Sequence, residues 1–331
     1  MTYIITVVKL LSPLQYVDAA TKAVHHATSR VYLMSMVIAD HEPIHPLIEA
    51  LEEAAKRGIE VVVAADIFTF GEVTDGFLPF RYYSRGGREA HRMAKRLKRA
   101  GVRFDWLGRG RITLYSGRTH SKWCVVDDTV FTFGGVNLYE AGVHNVDFMF
   151  QHHDAILANR IVEEQLRVQK AERTSTNYHS AAFEHGDMTV LIDGGIIGQS
   201  LIYRRAVELA EAAHHITYIS QYCPTGKLER VLRKKYATLY FNRPLQAEGI
   251  NRIALRLGQF FTRARTRYTH ARYLHAKCII FTFHDGSKAA ITGSHNFAYT
   301  GVLLGTREIA LETRDPAIIA QLEHFIQQEV A

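Results

Sequence analysis

The stretch RTHSKWCVVDDTVFTFGG, Arg118 to Gly135, sets the problem posed by this chain. His120 and Lys122 stand two residues apart at the head of an apolar run. Side chains at that spacing share one face of a strand. An imidazole and an ammonium at the edge of a core call for a chemical reason. A second stretch, YLHAKCIIF, repeats the pair as His275 and Lys277. Two copies in one chain point to two halves of one site.

Each strand runs into a hairpin and a glycine-containing return, TFGGVN in the first copy and ITGSHN in the second. Gly135 and Ser294 are small enough to let a substrate or backbone approach closely, and Asn137 and Asn296 offer donors to an anionic oxygen. Each half then supplies an acid: Asp147 lies 27 residues after His120, and Glu308 lies 33 after His275. A carboxylate bonded to one imidazole nitrogen fixes the tautomer and aims the other nitrogen at substrate, the role expected of both acids. Two His, two Lys and two Asn suit a phosphodiester. The lysines and asparagines hold the non-bridging oxygens; one imidazole attacks phosphorus, and the other serves as acid and then base. Fixed cations supply the positive charge, so no metal or other cofactor is called for.

The rest of the chain repeats one plan with a long period. VVKLL (7–11), a helix ending near His25-His26 and the strand VYLMSMVI (31–38) correspond to MTVLI (188–192), a helix ending near His214-His215 and ITYIS (216–220). The first half also carries a helix over 46–58, a strand over 59–68, a basic helix over 88–101 and a strand over 102–107; a helix closes the second half. The near-continuous apolar strands suggest mostly parallel pairing within mixed sheets. The fold class is therefore α/β. The polar, turn-rich stretch 172–187 is expected to be a linker between domains at 1–171 and 188–331.

Of 331 residues, 47% are hydrophobic, and 40 Lys and Arg outnumber 33 Asp and Glu, giving a net charge of +7. That mild excess suits contact with phosphates of lipid or nucleic acid without proving either. Cys124, Cys223 and Cys278 form no CxxC pair and read as buried free thiols in a reducing, cytoplasmic compartment. The opening MTYIITVVKLL is short and interrupted by Lys9, so a signal peptide is not expected. No apolar run is long enough to span a bilayer. The paired histidines, adjacent in sequence, diverge on regular elements and read as surface rather than zinc ligands.

At this point the motifs resemble a known family. HSKWCVVD (120–127) is similar to the HxKxxxxD motif of the phospholipase D superfamily, GGVN to the element that follows it, and HAKCIIFT…GSHN to a second copy. The stretches PLIEALEEAAKRGIEVVVAAD and RLKRAGVRFDWL resemble the cardiolipin synthase-like phosphatidyltransferases. The resemblance implies two tandem α/β/α halves about a pseudo-twofold axis, with His120 as nucleophile, His275 as general acid and Asp127 in the catalytic set. It is weakest over 226–268. Thr282 stands where the pattern has its second aspartate, and four extra residues separate His275 from Asn296. Asp285-Gly286 marks the longer hairpin's tip.

The leading expectation is a phospholipase D-type phosphodiesterase or phosphatidyltransferase acting on phospholipid at an anionic membrane surface, on the cytoplasmic side. The basic helix and the Phe-bearing loop 68–80 are candidate attachment points. The alternatives are a nucleic-acid phosphodiesterase and a non-catalytic phosphate-binding protein. In RLGQFFTRARTRYTHARYLHAK (256–277), Arg263, Arg265 and Arg267 alternate, and Arg267 is a candidate substrate ligand at the site entrance. Two motifs in one chain make a monomer sufficient.

Overall fold

The structure, a computed structural model, describes residues 8–73, 84–108 and 117–331. Val7 and the 74–80 part of the Phe-bearing loop lie outside the described residues. Within the described part of that loop Phe70 is buried.

The first half runs β1 (Lys9–Leu11), α1 (Pro13–His25), β2 (Arg30–Ser35), α2 (His45–Lys56), β3 (Glu60–Asp66), α3 (Thr69–Glu72), α4 (Arg85–Arg99), β4 (Arg103–Leu107), β5 (Trp123–Val126), β6 (Thr129–Thr132), α5 (Glu140–His144), β7 (Met149–His153) and α6 (Ala155–Arg173). The second runs β8 (Ala181–His185), β9 (Met188–Gly194), α7 (Leu201–Ala212), β10 (His215–Ile219), α8 (Gly226–Leu232), β11 (Tyr236–Tyr240), α9 (Gly249–Thr262), β12 (Cys278–Thr282), β13 (Lys288–Gly293), α10 (Tyr299–Leu304), β14 (Arg307–Thr313) and α11 (Pro316–Phe325).

Each half builds one seven-stranded sheet, in the orders β1-β7-β6-β5-β2-β3-β4 and β11-β10-β12-β13-β14-β9-β8. Reversing the second list matches β1 with β9, β7 with β14, β6 with β13, β5 with β12, β2 with β10 and β3 with β11. The repeat read from sequence is thus a repeat of topology. The sheets are mixed, but not mostly parallel: two pairings in the first sheet and one in the second are parallel, and the rest are antiparallel. The reason is local. The two-residue turn between β5 and β6 permits only antiparallel pairing, while helical crossovers join β2, β3 and β4. A strand buried on both faces reads as apolar in either orientation.

The stretch 172–187 is also more ordered than its composition suggests. α6 runs to Arg173, and β8 pairs with β9 through a turn at Gly186 and Asp187. Ala181, Phe183 and His185 alternate with the more exposed Ala182 and Glu184, a half-buried edge pattern.

One apolar core draws on both sheets, joining Trp123, Phe133 and Phe148 to Leu274, Ile280 and Ile309, with α6 and α11 packed into it. Each half has a further core on its outer side. The chain ends also meet: the Gln321 side chain on α11 accepts from Leu10 N–H and donates to the Val8 carbonyl. All three cysteines are free and buried. Among the described residues no helix is long and apolar enough to cross a membrane.

Candidate active site

His120 and Lys122 lie just ahead of β5, and His275 and Lys277 just ahead of β12. All four are buried, with exposures of 9%, 1%, 7% and 0%. Each segment is stitched to the opposite half. The N–H groups of His120 and Ser121 both donate to the Arg307 carbonyl, at 2.8 and 3.1 Å. Those of His275 and Ala276 both donate to the Val146 carbonyl, at 2.9 Å. Arg307 and Val146 immediately precede the two acids, so each stitch delivers an acid to the other half's histidine. Glu308 Oε2 is 2.9 Å from His120 Nδ1, and Asp147 Oδ2 is 2.7 Å from His275 Nδ1. Both expected acid–imidazole pairs form, and both cross between halves. Each Nδ1–H then donates to a carboxylate, leaving Nε2 with the free lone pair.

The acids are themselves held. Asp147 Oδ1 accepts from the N–H groups of Gly135, at 3.2 Å, and Phe148, at 2.8 Å. Glu308 accepts from the hydroxyls of Ser294 and Thr306. The Gly135 amide and the Ser294 hydroxyl thus serve the acids. Gly135 is needed for a steric reason, since a Cβ there would lie 2.6 Å from Asp147 Oδ2 and 3.0 Å from Lys277 Nζ. At the preceding glycine of each return, Gly134 and Gly293, a Cβ would meet the carbonyl oxygens of Phe148 and Ile309 at 1.8 and 2.2 Å.

Lys122 Nζ donates to the His120 carbonyl at 2.6 Å. Lys277 Nζ donates to the His275 carbonyl and lies 3.1 Å from His275 Nδ1. Burial, reinforced by the charge of Lys277, pushes Lys122 down to about 7. Burial pushes Lys277 down to about 8 against the pull of Asp147 and Glu308. Burial also lowers His120, and with Lys277 it drives His275 down to about 3. Burial opposes ionisation of the acids, yet the histidine contacts hold Asp147 low and bring Glu308 down to about 2. Two neutral imidazoles therefore face two ionised acids. Each histidine also feels the other half's lysine, so the two imidazoles and the two lysines share one field. An anion entering that field would relieve the strain on both lysines.

Asn137 and Asn296 occupy equivalent places, and in each the side-chain Oδ1 is buried without a partner among the described residues. Such an orphaned polar atom costs free energy unless a ligand answers it. An amide also reverses its ends readily, presenting NH₂ in place of oxygen.

Two candidates fall elsewhere. Asp127 is five residues beyond Lys122 along the strand, roughly 16 Å at ordinary strand rise. Its carboxylate accepts from the N–H groups of Thr28, Ser29 and Arg30 and the hydroxyls of Thr28 and Ser29. It clamps the α1–β2 connection and is not in the catalytic cluster. In the second half the Thr282 carbonyl takes the His214 N–H at the matching connection, so the missing aspartate removes no group from the cluster. Arg267 is exposed; its N–H pairs with the Leu239 carbonyl, laying the segment along β11, and it joins none of the catalytic hydrogen bonds.

Sequence reading passed over two buried arginines that brace the histidine segments. Arg118 reaches Asp66 Oδ1 and the Gly108 carbonyl, each at 3.2 Å. Arg307 bonds Glu172, Thr119 and Asn177. Their adjacency to His120 and Glu308 was the available signal. Among the described residues no group of three or more His, Cys, Asp or Glu is placed to hold a metal ion.

Residues 21–167 match a family model described as cardiolipin synthase, PLD-like domain. A comparison with curated protein sequences finds no match. Among solved structures, phosphatidylserine synthase from Haemophilus influenzae Rd KW20 superposes with a TM-score of 0.73 at 13% identity, covering 98% of this chain and 87% of that one. Polyphosphate kinase from Porphyromonas gingivalis superposes with a TM-score of 0.62 at 13% identity over 96% of this chain; the chain spans 49% of that enzyme. At these identities the likeness is one of fold.

Proposed function

We propose that this chain, which belongs to the phospholipase D superfamily, breaks and remakes a phosphodiester bond through a phosphohistidine, with a phosphatidyl group as the unit transferred. The observation that carries the proposal is the crossed pairing of His120 with Glu308 and His275 with Asp147 beside two buried lysines. It supplies two oriented, neutral imidazoles and a fixed cationic cradle, the parts a two-step displacement at phosphorus requires.

In the first step His120 Nε2 forms the bond to phosphorus, and the leaving alcohol oxygen departs with a proton from His275 Nε2, one that His275 takes up from solvent as the anionic substrate binds. In the second, an acceptor alcohol or water gives its proton to His275 while its oxygen displaces His120. Lys122 and Lys277 neutralise the non-bridging oxygens, and the amides of Asn137 and Asn296 turn their NH₂ ends to them. The family likeness and the fold shared with a phosphatidylserine synthase support lipid as substrate, met at the cytoplasmic face of a membrane.

The test is to incubate the protein with phosphatidylglycerol vesicles and, separately, with labelled single- and double-stranded DNA. Lipid turnover that disappears in His120→Ala supports the proposal. DNA cleavage without lipid turnover reassigns the substrate, and turnover of neither removes the enzymatic reading. Quenching at alkaline pH and mapping the phosphohistidine identifies the nucleophile.

A further inference from the structure

α9 turns an apolar face outward. Ile253, Leu257, Phe260 and Phe261 are 57%, 53%, 77% and 77% exposed, at the i, i+4, i+7, i+8 spacing of one helix face. The two phenylalanine rings touch edge to face, 5.4 Å apart. On its other side the helix is anchored by buried Leu255 and by Gly258, where a Cβ would lie 2.5 Å from Cys223 Sγ. Leu245, 84% exposed, continues the apolar surface ahead of the helix.

Arginines flank this ridge. Arg243, Arg256, Arg263 and Arg265 line a shallow recess of about 600 Å³ with Leu245 and Gln259. Elsewhere exposed arginines such as Arg103 and Arg272 pair with carboxylates. Among the described residues these four do not, and Glu248 is the one acid between positions 243 and 267.

We propose that α9 and the segment following it form a docking surface for an anionic lipid bilayer. The ridge enters the acyl boundary, and the recess takes headgroup phosphates. The chemistry selects this occupant. Ile253 and Leu257 cannot stack on bases, which argues against a nucleic-acid strand. A second copy would set arginine against arginine with no acids to answer them. The surface also adjoins the site. Asn251 on α9 accepts from Tyr222, and Gln221 donates to both Tyr222 and Tyr273, two residues before His275. Docking would therefore bring headgroups to the chain that enters the catalytic cluster.

The inference stands on α9 and its arginines, not on the reaction, so its test is a binding test. The Phe260→Trp variant reports insertion, because Trp106 and Trp123 are buried and contribute a constant background. Its emission should shift to the blue and be quenched by vesicles of phosphatidylglycerol and phosphatidylcholine with brominated acyl chains. Pure phosphatidylcholine should have little effect. Combining L257S, F260S and F261S should lower partitioning into the mixed vesicles by roughly 100-fold or more. R256Q, R263Q and R265Q together should lower it to a similar degree, about fivefold for each charge. Both triple variants should keep the parent's melting temperature and its turnover, if any, of a water-soluble phosphodiester. Emission from the Phe260→Trp variant that is indifferent to anionic vesicles would overturn the proposal. So would a blue shift produced by DNA, or by raised protein concentration without lipid.

Discussion

Glu308 Oε2 lies 2.9 Å from His120 Nδ1 across 188 residues of chain, while Asp147, the acid of His120's own half, lies 2.7 Å from His275. Each half therefore orients the other's imidazole. The same exchange holds in the backbone, where Arg307 and Val146 carry the acids in on paired N–H contacts.

The crossing makes the effects of the acids partner-specific. Glu308→Gln should lower kcat by about 10²- to 10⁴-fold, by loss of tautomer control at His120. Added to His120→Ala it should cost almost nothing more, because the two residues act as a unit. Asp147→Asn should show the same non-additivity with His275→Ala. Single-turnover rates for the four single and two double variants check this; additive effects would contradict the crossed pairing.

Binding of an anion should take up protons. At pH 8 Lys122, at about 7, is mostly neutral and Lys277, at about 8, is half charged. Sulfate in the site favours both ammoniums, so roughly one proton should be absorbed per anion bound. Affinity should fall by at least about tenfold per pH unit above 8, where both lysines must gain a proton for the anion to bind. Calorimetry in buffers of different ionisation enthalpy measures the uptake. In the empty protein the sign reverses: between about 7 and 10 the unfolded chain holds these protons and the folded chain does not, so stability rises with pH.

Gly135→Ala should disable the site without unfolding the chain. Its methyl group would meet Asp147 Oδ2 at 2.6 Å, and the carboxylate must turn away from His275. A loss of kcat of about 100-fold is expected. Imidazole ¹⁵N shifts should show His275, and not His120, losing its fixed tautomer.

Asp127→Ala should do the opposite. It removes the acceptor of contacts from Thr28, Ser29 and Arg30 and leaves the catalytic cluster intact. Stability should fall by roughly 2 kcal/mol at neutral pH, with kcat within about twofold of the parent. These contacts hold the Asp127 pKa below its ordinary value. Its contribution is therefore complete above about pH 4 and lost as the pH falls through the folded value. Denaturant titrations at pH 7 and at pH 3 should show the difference between variant and parent shrinking in acid.

His152→Phe should stabilise the protein in mild acid. His152 is fully buried, both ring nitrogens lack partners among the described residues, and Phe133 packs edge-on against it at 5.4 Å. Burial pushes its pKa down to about 4. Between about 6.5 and 4 the unfolded chain binds a proton that the folded chain refuses, so stability falls as pH falls, by up to about 3 kcal/mol. The Phe variant should lose that part of the slope in melts run from pH 7 to pH 4.5.

The features legible in sequence were those written at short range and twice. His120 with Lys122, His275 with Lys277, and the glycine returns ending in Asn137 and Asn296 needed only strand periodicity and a repeat. The strand–helix–strand openings of both halves were legible for the same reason. The crossing of Asp147 and Glu308 was not, because spacing along the chain does not say which imidazole an acid will meet in space. Asp127 misled because its motif position carries no record that the carboxylate points to Thr28–Arg30. The strand orientation was hidden by burial on both faces, and β8 by an alternation only five residues long.

The paired contacts from Arg307 to His120 and from Val146 to His275 also impose an order of events during synthesis. Chains fold as they emerge, N-terminal part first. His120 leaves the ribosome long before Glu308 exists to accept its hydrogen bond. The nascent protein thus carries lysines, asparagines and unguided histidines, but no oriented pair at His120, until Glu308 is made. Premature termination anywhere short of Glu308 should yield an inert product, even where most of the chain has already folded.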